Sequence, residues 1–255
     1  MELKNFFVII LIFLLFPALP KSDSYDVIII IPGTWALKEN WFCIGGDFFE
    51  ELNSSAKKKN MRATSFRWLT DNNEGGREKG AQELCNFLSC FELKTNLHLV
   101  AHSHGTNVAI KACQLLAQQQ PERKICTLIA LGAPVDEETY KPNMTIIKKL
   151  INLYSLNDGI QTFWAWKRIF QHQRGIHNLH TFINNQEPTH TQMHHPLIAR
   201  WLIHIMNKNL PNEGILHIFD NKNPIVEKDF KQKEKLENDK PLNLNALIDW
   251  RKNLS

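Results

Sequence analysis

The sequence predicts an α/β protein: a mostly parallel sheet with helices on both faces. Three observations lead there. Continuous β-branched runs such as Val27-Ile28-Ile29-Ile30-Ile31 suit strands buried on both sides. Segments with apolar residues three and four apart lie between such runs and suit helices packed on one face. The two kinds of segment alternate, as parallel βαβ units require.

Taken in order, Tyr25–Pro32 is the first predicted strand, ended by Gly33-Thr34. A helix is expected over Asp47–Lys58 and a strand over Met61–Leu69. Gly76–Leu88 reads as a helix with Ala81, Leu84 and Leu88 on one face. Asn96–Ala101 is a short strand, and Gly105–Gln119 a helix carrying Val108, Ala109, Ala112, Leu115 and Leu116. Ile125–Leu131 is a strand closed by Gly132-Ala133-Pro134. Lys149–Ser155 is another, and His177–Ile183 is expected to be the last. Pro196–Met206 is the last strongly patterned helix. The domain is thus expected to span 25–206, with 207–255 a polar C-terminal extension. Within that extension Glu227–Lys240 carries five basic and five acidic residues, the pattern of a solvated helix or tail. Leu244, Leu247 and Trp250 are expected to dock a short amphipathic ending back onto the domain.

The composition is that of an ordinary globular chain: 255 residues, 43% hydrophobic and 22% charged. It excludes collagen, a coiled coil and a wholly disordered chain. Mean hydropathy of −0.30 excludes a polytopic membrane protein. Net charge is +4, with no basic patch dense enough for nucleic-acid binding. At the N-terminus Lys4 precedes an apolar run from Phe6 to Phe16, then Pro17 and Pro20. That is the layout of a secretory signal, and it is short of the roughly 20 residues a spanning helix needs. Residues 1–24 are therefore read as a signal peptide or an N-terminal membrane anchor, against a buried first strand or helix. The protein is expected to be exported. Of five cysteines, Cys85 and Cys90 are candidates to pair by proximity, while Cys113 and Cys126 read as buried thiols.

Ala101-His102-Ser103-His104-Gly105 follows a short apolar strand and opens a helix. This is the setting of a nucleophile elbow, where a tight turn demands small residues on either side of a serine. Ala101 and Gly105 meet that demand, and the turn would lift Ser103 above the sheet edge. Pro32-Gly33-Thr34-Trp35 ends the first strand, where a loop can supply one oxyanion donor. Thr34 N–H is the expected first donor, with Trp35 next. The N–H of His104, after the serine, is the other.

Val27–Trp35, then Trp41, then Gly45-Gly46-Asp47-Phe48-Phe49 resembles the "HGTW…W…GGDFF" opening of small lipase-like α/β hydrolases. Phe66-Arg67-Trp68, followed by Asn73 and Arg77, resembles that family's segment ahead of the nucleophile. The resemblance covers Tyr25 to Met206 and implies an α/β-hydrolase fold and a serine hydrolase. Pro32 departs from the family, which usually has histidine there, a structural residue in most members.

A triad needs an acid and then a histidine after the serine. Asp158, in the turn Asn157-Asp158-Gly159 just past a late strand, is the expected acid, with Asp136, Glu137 and Glu138 as competitors. The histidine candidates are His190, His194, His195 and His180, the last read as part of a strand. His190-Thr191-Gln192-Met193-His194-His195-Pro196 resembles the family's H-x-x-[LM]-x-x-P ending, which favours His190. The cluster also invites a metal reading, but no HExxH pattern accompanies it, so no metal or cofactor is expected. Between acid and histidine, residues 160–176 carry Phe163, Trp166 and Phe170 on one helical face. That segment reads as a lid giving an apolar acyl pocket, lined with Trp35, or as a helix packed on the core. The expected partner is a small-molecule ester or lipid. The competing class is an inactive binding or membrane-associated accessory protein that keeps the fold.

Overall fold

The computed structural model describes residues 26–160 and 167–228. Eight strands form one sheet: β1 (Asp26–Ile31), β2 (Met61–Ser65), β3 (Leu97–His102), β4 (Ile125–Leu131), β5 (Leu150–Tyr154), β6 (Ile176–Ile183), β7 (Glu213–Ile218) and β8 (Ile225–Lys228). Their spatial order is β2-β1-β3-β4-β5-β6-β7-β8. All pairs through β7 are parallel, and β8 runs antiparallel to β7. Among the described residues, four α-helices accompany them: α1 (Asp47–Lys57), α2 (Glu74–Ser89), α3 (Gly105–Gln119) and α4 (Pro196–Met206).

The period-2 geometry of a strand explains why β1 is apolar throughout. Val27, Ile29 and Ile31 enter the core under α2 and α3, while Ile28 and Ile30 enter the core under α1 and α4. Each helix contributes the face its sequence spacing marks: Ala81, Leu84 and Leu88 from α2, and Val108, Ala109 and Ala112 from α3. On the other face Phe48 and Leu52 of α1 meet Ile198, Leu202 and Ile205 of α4. Burying a side chain of this kind contributes roughly 1.5–3 kcal/mol.

The family-like segment before the elbow proves to be scaffold. Trp68 Nε1 donates to the Pro32 carbonyl at 2.8 Å, and Phe66 and Trp68 are core residues. Asn73 caps α2, its Oδ1 accepting the Gly76 N–H at 2.7 Å. Arg77 Nε donates to Tyr140 Oη at 2.8 Å.

Three expectations need correction. The sheet does not end at Ile183, nor the domain at Met206: β7 and β8 follow, so folded structure reaches Lys228. β7 sits near the sheet edge, and only its alternate residues Gly214, Leu216 and Ile218 are buried. Its sequence therefore lacks the continuous apolar run of an inner strand. Cys85 and Cys90 do not pair: Cys85 is buried in the α2 face and Cys90 is exposed at its end. Cys113 is buried as expected, and Cys126 is half-buried. Residues 1–25 and 229–255, with Leu244, Leu247 and Trp250, lie outside the described residues. Among the described residues no helix is long and apolar enough to cross a membrane.

Candidate active site

Because seven strands point the same way, the segments that leave them gather at one edge of the sheet. These are the turns after β1, β3, β4, β5 and β6, and they carry the expected site residues.

The turn after β3 is strained. Ser103 has φ 52, in the left-handed region where a non-glycine residue is uncommon. Its N–H donates to the Leu131 carbonyl at 2.9 Å, which fixes the turn against β4. The small neighbours are sterically required. A Cβ on Gly105 would lie 2.5 Å from the Pro32 carbonyl oxygen, so α3 could not approach β1 so closely. A Cβ on Gly33 would lie 2.8 Å from Ser103 Cβ. Ala101 is wholly buried in the core, where its methyl fits. Ser103 itself is 4% exposed.

The expected acid and histidine meet. His190 Nδ1 lies 2.8 Å from Asp158 Oδ2. The Asp158 carboxylate is fully buried, while the His190 side chain remains slightly open to solvent. A carboxylate there holds the proton on Nδ1 and leaves Nε2 bare to accept another. Gly132, at φ 58, lies beneath the pair: a Cβ on it would lie 2.9 Å from Asp158 Oδ2 and 3.4 Å from His190 Nδ1. Ser103 is flanked by His102 and His104. The His102 ring centroid lies 4.7 Å from that of His190, and His190 is close enough to lower the pKa of His104.

The other candidates have different tasks. His194 stacks on Trp41 at 4.3 Å and 6°, and burial, more than its histidine neighbours, lowers its pKa to about 4. His195 caps α4, its Nδ1 accepting the Leu197 N–H at 3.1 Å. His180 lies within β6, stacked on Tyr154 and 3.2 Å from the Glu187 carboxylate. Asp136 accepts N–H groups of Glu138 and Thr139, and Glu137 accepts the Gln171 N–H at 2.9 Å.

Of the expected oxyanion donors, Trp35 is committed elsewhere: its N–H donates to the Thr70 carbonyl at 2.9 Å. Among the described residues no carbonyl takes the N–H of Thr34 or of His104. His104 stands at the N-terminus of α3, where the helix dipole favours negative charge. Its imidazole is pushed down to about 4, chiefly by burial and then by the Arg77 charge.

The expected apolar lining divides. Trp35 is 65% exposed at φ 60, two residues after Gly33, which packs against Ser103. Phe170 does not line a pocket; it is 2% exposed and belongs to the core with Ile146, Leu150 and Ile176. The Asn178 side chain explains this, bonding both the Phe170 N–H at 3.0 Å and its carbonyl at 2.9 Å. Asn152 Nδ2 adds a bond to the Arg168 carbonyl at 2.8 Å. From Lys167 onward the segment is thus pinned to β5 and β6. Phe163 and Trp166 lie outside the described residues.

Sequence reasoning passed over four residues that shape the site. In the sequence Gly132 marks a strand end, and His102 stands inside the elbow with no role assigned to it. Trp41 was read for its place in a motif, and Met193, now wholly buried beside Gly132, for its place in another. Two histidines adjoining one serine was the one signal available for His102.

Comparison with known proteins bears on the fold. No protein-family model matches the chain, and no curated protein sequence matches it. Among solved structures it is similar to Aspergillus fumigatus lipase B, with a TM-score of 0.51 and 11% identity over 74% of this chain and 54% of the lipase. An alpha-beta serine hydrolase homologue from Coxiella burnetii aligns at TM-score 0.49 and 13% identity, over 74% of this chain and 88% of that one. Mouse alpha/beta hydrolase domain-containing protein 10 aligns at 0.44 and 16% identity, over 70% and 89%.

Proposed function

We propose that this chain, which has the α/β-hydrolase fold, is an exported serine hydrolase that cleaves carboxylic esters through an acyl-enzyme. The observation that carries the reading is the 2.8 Å contact of His190 with buried Asp158 beside the strained Ser103 turn. An isolated elbow serine is a turn residue. A histidine with its tautomer fixed by a buried carboxylate at the same sheet edge is a base with an orienter.

In this mechanism Ser103 Oγ attacks the ester carbonyl carbon while His190 Nε2 takes the serine proton. The Thr34 and His104 N–H groups hold the oxyanion; losing one such donor costs roughly 10²–10³ in rate. Asp158 stabilises the imidazolium. The tetrahedral intermediate expels the alcohol, which receives the proton from His190. Water, deprotonated by His190, then attacks the acyl-enzyme and regenerates Ser103. An apolar acyl group is favoured by exposed Trp35, two residues after Gly33, which packs against Ser103. Export is supported by the Lys4 and Phe6–Phe16 pattern.

The test is labelling by a fluorophosphonate probe, comparing wild type with Ser103→Ala, followed by esters of graded chain length. Labelling that depends on Ser103 is the expected result. Absence of labelling in protein shown to be folded would overturn the reading in favour of a binding role.

A further inference from the structure

We propose that His102 is a positioning residue for His190: its ring N–H holds the His190 main-chain carbonyl and so sets where the imidazole stands over Ser103. The inference rests on the reading of Ser103, His190 and Asp158 as the reacting groups.

His102 Nε2 lies 3.1 Å from the His190 carbonyl oxygen, a bond that joins residues 88 apart in the chain. A carbonyl only accepts, so Nε2 carries the proton. The ring is 7% exposed and enclosed by other rings. Trp41 meets it at 5.6 Å and 84°, His194 at 4.9 Å and 90°, and His190 at 4.7 Å. Burial, with His190 and His194 nearby, holds its pKa well below the ordinary histidine value. It therefore stays neutral, keeps one N–H to donate, and adds no positive charge against an imidazolium at His190.

The place of His102 in the chain gives the bond its consequence. It ends β3, paired in register with Leu131 of β4, and the next residue is Ser103. The turn that fixes the nucleophile thus also grips the backbone of the base. Asp158 holds the far side of the same residue through Nδ1. With one anchor on the main chain and one on the ring, the position and the rotation of the imidazole are both fixed.

The test compares His102→Gln with His102→Met in the full chain, with wild type and Ser103→Ala as references. Both replacements are unbranched and similar in length, but only glutamine carries an N–H donor near the original Nε2. Three readings are taken: the fluorophosphonate labelling rate, kcat and KM on a short-chain ester, and the deshielded proton resonance of the His190–Asp158 bond. His102→Met should lower kcat and labelling by roughly 10²-fold, the cost of an ångström-scale misplacement, with KM little changed. Its deshielded proton should broaden or vanish. His102→Gln should recover most of both.

Equal behaviour of the two variants would overturn the proposal, as would wild-type labelling by His102→Met. A His102→Met protein that no longer folds while His102→Gln does would assign the bond to stability and also overturn it. Wild type that fails to label counts against the hydrolase reading instead. The proton resonance, compared between wild type, His102→Gln and His102→Met, then decides the tether by itself.

Discussion

The turn at Ser103 and the loop at His190 meet at one sheet edge but are held in place by different means. The turn is held by backbone: a φ of 52, a Ser103 N–H bonded to Leu131, and glycines at 33 and 105 that leave no room for a Cβ. The loop is held by side chains drawn from elsewhere: Asp158 on its ring, His102 on its carbonyl, and Trp41 stacked on His194 four residues on. Close backbone packing against the ends of β1 and β4 fixes the nucleophile. Polar and aromatic contacts fix the base across long separations. The first arrangement fails when atoms are added, and the second when a single donor or acceptor is removed.

The largest expected effect therefore comes from the polar side. Asp158→Asn keeps the shape of the side chain but removes the charge that holds the His190 tautomer. Labelling and ester turnover should fall by about 10⁴-fold with the fold intact. Melting temperature and labelling rate, measured together, check it. A mild loss would mean that the contact orients nothing.

The steric side should yield a smaller loss. Gly33→Ala introduces a Cβ 2.8 Å from Ser103 Cβ and 3.2 Å from the His102 carbonyl oxygen. One of the two loops must shift, and Thr34, an expected oxyanion donor, shifts with it. Labelling should drop by about 10²-fold, as an ångström-scale displacement does. Unchanged labelling would show that the first loop takes up the added atom without moving the serine.

This contrast explains what the sequence made legible. The elbow, β1 and the helices were readable because their causes are local: small residues at fixed spacing, β-branched runs, apolar residues three and four apart. Asp158 was found through its turn and His190 through a family-like ending, both short patterns. His102 and Asn178 act through partners brought close only by the folded sheet, so their neighbours in the chain do not show what they hold. For Phe170 the apolar spacing with Phe163 and Trp166 leaves lid and core equally open, and Asn178, which pins it to the core, acts only once the sheet has formed. β7 was missed for a related reason: near an edge, half burial removes the apolar run that marks an inner strand.

Smaller still is a pH effect carried by two buried histidines, one in the turn and one in the loop. Burial brings His194 and His104 down to about 4, from an ordinary value near 6.5. Depressed histidine pKa values mean that the unfolded chain binds more protons between pH about 6.5 and 4. Stability should therefore be full above the upper value and should fall as pH drops through this window. His194→Phe keeps a ring to stack on Trp41 and removes one titrating group. Its stability should fall less steeply with acid, by up to one proton in the slope. Chemical denaturation at several pH values measures this, and an unchanged slope would mean that His194 does not titrate as a buried group.

The smallest effect separates two histidines five residues apart. His195 is exposed and gives its Nδ1 to the Leu197 N–H, so its contribution is to start α4. His195→Ala removes that cap and should cost about 1 kcal/mol of stability, while His195→Asn, a good capping residue, should restore it. Both should label at the wild-type rate. His190→Ala should invert the pattern, keeping most of the stability and losing the labelling. If His195→Ala lost labelling while His190→Ala kept it, the base would have to be reassigned, although His190 is the histidine that Asp158 holds.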